Sequence, residues 1–169
     1  ELAPGEVGSI YLEREKLPFR YHKNPEKTRA AQHPDHENWT TVGDLGYVDE
    51  DGYLFLTDRK SFMIISGGVN IYPQEVENLL TLHPCIFDVA VIGVPDAEMG
   101  QSVKAVVHLR EGVEPSDALA QQLIDYVRER IAHYKAPRTV DFVSELPRSA
   151  TGKLVKRTLE QQYLEVAAK

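Results

Sequence analysis

The chain has 169 residues, 42% apolar and 27% charged, and its 26 acidic against 19 basic residues leave a formal net charge of -7. This size and apolar share exclude a disordered chain and fit one ordinary domain, or a small domain with part of another. The acidic balance excludes a broad phosphate-neutralising surface, so no nucleic-acid partner is expected. Apolar runs of only a few residues exclude a membrane span.

The first residues, "ELAPGEVGSI", open in mid-pattern at Glu1 without Met, a basic leader or a hydrophobic stretch. We therefore expect an excised part of a longer protein, in a cytoplasmic setting. "GEVGSIYLE" reads as a strand, and "LGYVDEDGYLFLTDR" as two strands joined by the Asp49 to Gly52 turn, where acidic residues and glycine supply hairpin chemistry. Between them "KNPEKTRAAQHPDHENW" is polar and proline-punctuated and reads as loop. His33 and His36 stand close in it, but without a third ligand they predict solvated side chains and no metal site.

After Arg59 the pattern changes. "SFMIISGGVNIY" predicts a strand, a glycine turn and a second short strand. Pro73 then opens a helix at the position where its missing N–H costs least, with Val76, Leu79 and Leu80 on the apolar face. In "HPCIFDVAVIGVP" the sole cysteine, Cys85, excludes an internal disulfide and reads as a small core residue rather than a nucleophile. "VAVIGV" predicts a buried strand. In "SVKAVVHLR", Val103, Ala105, Val107 and Leu109 alternate with Lys104, His108 and Arg110, the pattern of a half-buried strand. Ser116 can cap a helix carrying Leu119, Leu123 and Val127; "TVDFV" is another strand, and a last helix places Val155, Leu159 and Val166 on one side. The result is a small α+β domain preceded by the β-rich end of something else.

Charge is unevenly spread. From Arg128 to Arg157 eight basic residues face three acids, while the rest of the chain has 11 basic against 23 acidic residues. Such a basic region suggests a compact anionic ligand, the alternative being a solvated basic face. Within it lies "PRSATGKLVKR". A nucleotide-cradling phosphate loop would need a glycine where this chain has Pro147 and a Ser or Thr where it has Leu154. The segment can therefore offer one mobile ammonium group, that of Lys153, but cannot hold a triphosphate. Gly152 lets the loop take backbone angles closed to other residues.

Taken together, "TTVGDLG", "DRKSFMIISGGVNIYPQEVE" and "PRSATGK" resemble, in order and spacing, the adenylate-forming superfamily of acyl-CoA synthetases, luciferases and peptide-synthetase adenylation domains. The resemblance implies that residues 1–59 are the β-rich end of a large N-terminal domain. Residues 60–169 would then be a mobile C-terminal domain, a mixed sheet flanked by helices, that packs on it. It implies an AMP-forming ligase that activates a small carboxylic acid with ATP and passes it to coenzyme A. Mg²⁺ would come with ATP and be held mainly by the missing N-terminal part. The phosphate-gripping loop and acyl pocket lie upstream in such enzymes, so this fragment alone is expected to be inactive.

By the same resemblance, Asp44 and Arg59 would hold the ribose and Lys153 would stabilise the adenylation transition state. Ser66, Gly67 and Gly68 would line the path of the pantetheine arm. Met99 and Tyr134 would pack on the adenine side of coenzyme A, with Lys135 and Arg138 near its phosphates. Ser61 stands where the family usually places an Asp or Lys hinge. Two alternatives stay open: an enzyme that loads a carrier-protein thiol, and a stand-alone nucleotide- or CoA-binding module.

Overall fold

The chain divides after Ser61 into two units, Glu1–Ser61 and Phe62–Lys169. The computed structural model describes residues 2–16 and 19–167, without the side chains of residues 166 and 167, so the place expected for Val166 lies outside the described residues.

In the first unit, β1 (Gly8–Ser9) and β2 (Leu12–Glu13) occupy the stretch expected to be one strand. The chain leaves one partner for another there. β1 pairs with β4 (Asp44–Val48), and β2 with β3 (Trp39–Thr40), in a separate two-stranded sheet. β4 and β5 (Leu54–Arg59) form the expected hairpin, giving the order β1-β4-β5. Asp49 closes its turn, accepting the amides of Asp51 at 3.0 Å and Tyr53 at 2.8 Å. Where the register shifts at Leu45/Gly46, only glycine fits, because a Cβ on Gly46 would stand 2.3 Å from the Phe55 carbonyl oxygen.

The stretch read as loop contains a short helix, α1 (Pro25–Ala30). Its signal was present: Asn24 Oδ1 accepts the Lys27 amide at 2.9 Å and proline occupies the first turn. Of the two histidines, His33 is half-buried, less solvated than expected, while His36 is exposed, as expected. His36 stacks on Trp39 with centroids 4.2 Å apart, and His33 meets Tyr11 edge-on at 4.8 Å.

In the second unit, β6 (Ile64–Ser66) and β7 (Val69–Ile71) form a hairpin through Gly67 and Gly68, and α2 (Pro73–Thr81) starts at the expected proline. β8 (Ile86–Asp96) and β9 (Gly100–Leu109) make a long antiparallel pair. α3 (Asp117–Arg128) follows, capped by Ser116, whose Oγ accepts the Leu119 amide at 3.2 Å. β10 (Thr139–Val143) joins β9 in parallel, and α4 (Lys156–Ala167) ends the described chain.

The alternation in "SVKAVVHLR" misled on one point: β9 is the centre of the sheet and is covered on both faces. Val103, Ala105 and Val107 pack with Val76 and Leu80 of α2 and Leu123 and Val127 of α3. Val106, in a slot that alternation assigns to solvent, is wholly buried with Ala90, Ile92 and Leu159 of α4. Each such side chain contributes about 1.5–3 kcal/mol relative to exposure.

Two polar contacts also fasten α4. Lys156 is 6% exposed, with its ammonium 2.7 Å from Glu77 Oε1 and 5.2 Å from the centre of the Phe62 ring. Glu77 Oε1 also accepts the Val91 amide at 2.6 Å. Further along the helix Tyr163 meets Asp141, whose Oδ1 is 2.7 Å from Lys104 Nζ. Desolvation pushes the Asp141 carboxyl up, but Lys104 and the Tyr163 hydroxyl outweigh it and hold it below its usual range. Among the described residues no helix is long and apolar enough to cross a membrane.

Candidate active site

Strand register brings together the two residues expected at the ribose. Asp44 and Arg59 are directly opposed across β4 and β5, with Arg59 Nε 3.5 Å from Asp44 Oδ1. The carboxylate is mostly covered and the guanidinium mostly exposed, so the pair itself adds little stability. Its oxygens and N–H groups are available to neighbouring hydroxyls, the charge-assisted bonding suited to a vicinal diol. Past Arg59 the chain enters a 3-10 turn, Lys60–Phe62, and the division between the units falls at its middle residue, Ser61.

Lys153 lies on a turn closed by its own backbone. Ser149 and Lys153 exchange contacts through the Ser149 amide to the Lys153 carbonyl, 2.8 Å, and the Lys153 amide to Ser149 Oγ, 3.2 Å. The Gly152 amide donates to the Ser149 carbonyl at 2.8 Å. Gly152 holds φ at +79°, a left-handed conformation that a side chain would strain. Arg148 donates from Nη1 to the Gly152 carbonyl at 2.7 Å and pairs through Nη2 with Asp88 of β8. Sequence reasoning had passed over Arg148 as one more member of a basic run.

Most of that run is neutralised within the second unit. Arg128 pairs with Asp125 at 3.6 Å, Arg130 with Glu129 at 3.2 Å, Lys135 with Glu75 at 2.7 Å, Arg138 with Asp96 at 3.1 Å, Arg148 with Asp88, and Lys156 with Glu77. Lys153 and Arg157 alone of the eight have no such ion pair among the described residues of that unit. The sequence run is therefore not one basic patch. Its charges are distributed over α2, β8 and their surroundings, and one lysine is left uncommitted on an exposed turn.

The remaining residues fall into two groups. Gly67 and Gly68 hold φ at +57° and +80°. The Gly67 amide donates to the Met99 carbonyl at 2.9 Å, and a Cβ on Gly67 would come within 3.0 Å of Met99 Sδ. Ser66 is opposite Gly100 in the β6–β9 pairing. Asp96 organises this end of the β8–β9 pair: Oδ1 accepts the amides of Met99 and Glu98, and Oδ2 accepts from Arg138. The Met99 amide foremost, then that of Glu98, holds the Asp96 carboxyl below the usual range, with Arg138 adding to the effect. Ser66, Gly67, Met99 and Arg138 are thus tied into one neighbourhood, in which Met99 remains partly exposed. Tyr134 and Lys135 lie on a separate 3-10 turn, His133–Lys135; Tyr134 is exposed and the Lys135 ammonium is held by both oxygens of Glu75.

Residues 75–153 match the family described as the AMP-binding enzyme C-terminal domain. The long-chain-fatty-acid–CoA ligase of Bacillus subtilis strain 168 is 40% identical over 96% of this chain and 28% of its own length. The 2-succinylbenzoate–CoA ligase of Geobacillus kaustophilus is 42% identical over 94% and 31%. The crystal structure of ATP-bound MatB from Rhodopseudomonas palustris superposes with a TM-score of 0.85 at 33% identity, covering 98% of this chain and 32% of that one. The chain thus spans about a third of the length of the relatives it matches. Residues 75–153 therefore match the AMP-binding enzyme C-terminal domain family, and the chain is a homologue of the C-terminal part of acyl- and aryl-CoA ligases.

Proposed function

We propose that this chain is the C-terminal part of an ATP-dependent, AMP-forming ligase that joins a small carboxylic acid to coenzyme A. The observation that carries this reading is Lys153: an uncommitted ammonium on a glycine-shaped turn, at the end of the segment matching the AMP-binding family. A carboxylate oxygen of the substrate attacks the α-phosphorus of ATP, the bond to the bridging oxygen breaks, and pyrophosphate leaves. The thiol of coenzyme A then attacks the acyl carbonyl and AMP departs. Lys153 would neutralise charge that builds between carboxylate and phosphate, Asp44 and Arg59 would hold the ribose, and the Ser66–Gly68 turn with Met99 and Arg138 would flank coenzyme A. Tyr134 would pack on its adenine side. Lys135, already paired with Glu75, would lend its phosphates less than a free ammonium.

Residues 1–59 would complete a larger N-terminal domain on which 60–169 pack, in the cytoplasm. The exposed apolar side chains of Leu54, Phe55 and Leu56 on β5 support this, as a strand surface that needs further covering. Mg²⁺ would accompany ATP; no group of three His, Cys, Asp or Glu among the described residues is arranged to hold it. Loading of a carrier-protein thiol is the neighbouring reading, and coenzyme A is favoured because the relatives named above are CoA ligases.

The full-length protein is expected to catalyse carboxylate-dependent exchange of labelled pyrophosphate into ATP, and the 169-residue chain is not. Exchange by the short chain alone would overturn the division of labour proposed.

Ser61 would be the hinge between adenylation and thioester formation. A small polar residue at the unit boundary can change φ and ψ while its hydroxyl changes partners. Proline, with φ fixed at about -65° and no N–H, should trap one pose. Ser61→Pro is expected to leave adenylation near normal and slow thioester formation severely. Measuring the two half-reactions separately, beside a melting temperature, checks this; equal loss in both would assign Ser61 to folding instead.

A further inference from the structure

We infer that Arg148 is a positioning residue for Lys153, clamping the lysine's turn to β8. The inference rests on the role proposed above for Lys153. The hydrogen bonds between Ser149, Gly152 and Lys153 shape the turn but do not attach it to the sheet. The flanking backbone bond from Val155 to Pro147 holds only its two stems together. Leu146 and Leu154 pack the stems against Ala90, Ile92 and Val106 of the sheet, and Arg148 supplies the polar attachment at the turn itself. Its Nη1 donates to the carbonyl of Gly152, the residue before Lys153, while its Nη2 pairs with Asp88 Oδ2.

Asp88 is a firm anchor, since its Oδ1 accepts the Val89 amide at 3.0 Å within the ladder that β8 forms with β9. A planar guanidinium with diverging N–H groups can serve a carbonyl and a carboxylate at once in fixed geometry, which a single ammonium cannot. Arg148 is about half exposed, so the pair matters little to folding. What it sets is the aim of Lys153, and misplacement of a reacting group by about 1 Å can cost about 10²-fold in rate.

The test uses the full-length protein. Arg148→Ala is expected to lower kcat for adenylation about tenfold. KM for ATP and for the acid, and thioester formation from supplied acyl-adenylate, should be unchanged. Tm should move by no more than about 4 °C, as expected for a partly exposed pair. Arg148→Lys should recover only part of kcat, and Asp88→Asn should lose some in the same direction. An unchanged kcat in Arg148→Ala, in a protein whose adenylation is lost with Lys153→Ala, would overturn the clamp alone. Equal loss of both half-reactions with a lowered Tm would also overturn it, in favour of a structural role, and so would complete rescue by Arg148→Lys, in favour of simple charge. A full-length protein that makes no acyl-adenylate would remove the role of Lys153 and the clamp with it.

Discussion

Lys153→Ala in the full-length protein is expected to lower the rate of acyl-adenylate formation by about 10² or more, the loss that follows removal of one preorganised charge from a transition state. The size of the effect depends on dryness. A unit charge pair at 4 Å gains about 1 kcal/mol in water and about 4 kcal/mol at an effective dielectric of 20. In the second unit by itself the lysine is exposed, so the contribution proposed for it would require exclusion of water by bound substrate. Thioester formation from synthetic acyl-adenylate and coenzyme A should survive the substitution, because the charge that Lys153 would neutralise builds only while the carboxylate attacks the α-phosphorus, a step already complete in the acyl-adenylate. A parallel loss in both half-reactions would show that Lys153 has no step-specific part.

The largest effect on stability is expected at Lys156. Its ammonium and the Glu77 carboxylate are both nearly inaccessible and meet at 2.7 Å. Lys156→Ala would leave Glu77 buried with its cation gone, at a cost of about 3–5 kcal/mol. Replacing both partners, as Lys156→Met with Glu77→Gln, should recover much of the loss, since the penalty comes from the unpaired charge more than from the missing attraction. Urea unfolding of the two variants beside the parent chain measures this directly. An unchanged midpoint in Lys156→Ala would mean that the site admits water.

The boundaries that depend on local chemistry were readable in advance. Asp49 at the β4–β5 turn, Pro73 at the start of α2 and Ser116 before α3 each satisfy or relieve backbone groups within a few residues of themselves, so their meaning survives without the rest of the fold. α1 was missed although Asn24 and Pro25 made the same kind of statement, because a polar six-residue helix has no apolar stripe to announce it. The two-sided burial of β9 depends on α4 arriving from far along the chain, and only Val106, out of step with the alternation, hinted at it. The "PRSATGK" segment singled out Lys153, and the family resemblance singled out Asp44 and Arg59. The partners of Lys135, Arg138 and Lys156 could not be read in the same way, since their acids lie far back in the chain and are chosen by packing.

That separation governs the order in which the second unit can be completed during synthesis. Glu75, Glu77, Asp88 and Asp96 leave the ribosome well before Lys135, Arg138, Arg148 and Lys156, which pair with them. β6 and β8 wait for β9, β9 waits for β10 on its parallel side, and the second face of the sheet waits for α4. Contacts of this range are slow to close and leave apolar strands uncovered meanwhile. A nascent chain arrested before Lys156 would carry Glu77 without its cation and a sheet with one bare face, a form suited to capture by chaperones. The turn that bears Lys153 has both ends of its clamp, Asp88 and Arg148, before the last helix emerges, so the lysine is aimed before the second face of the sheet is covered.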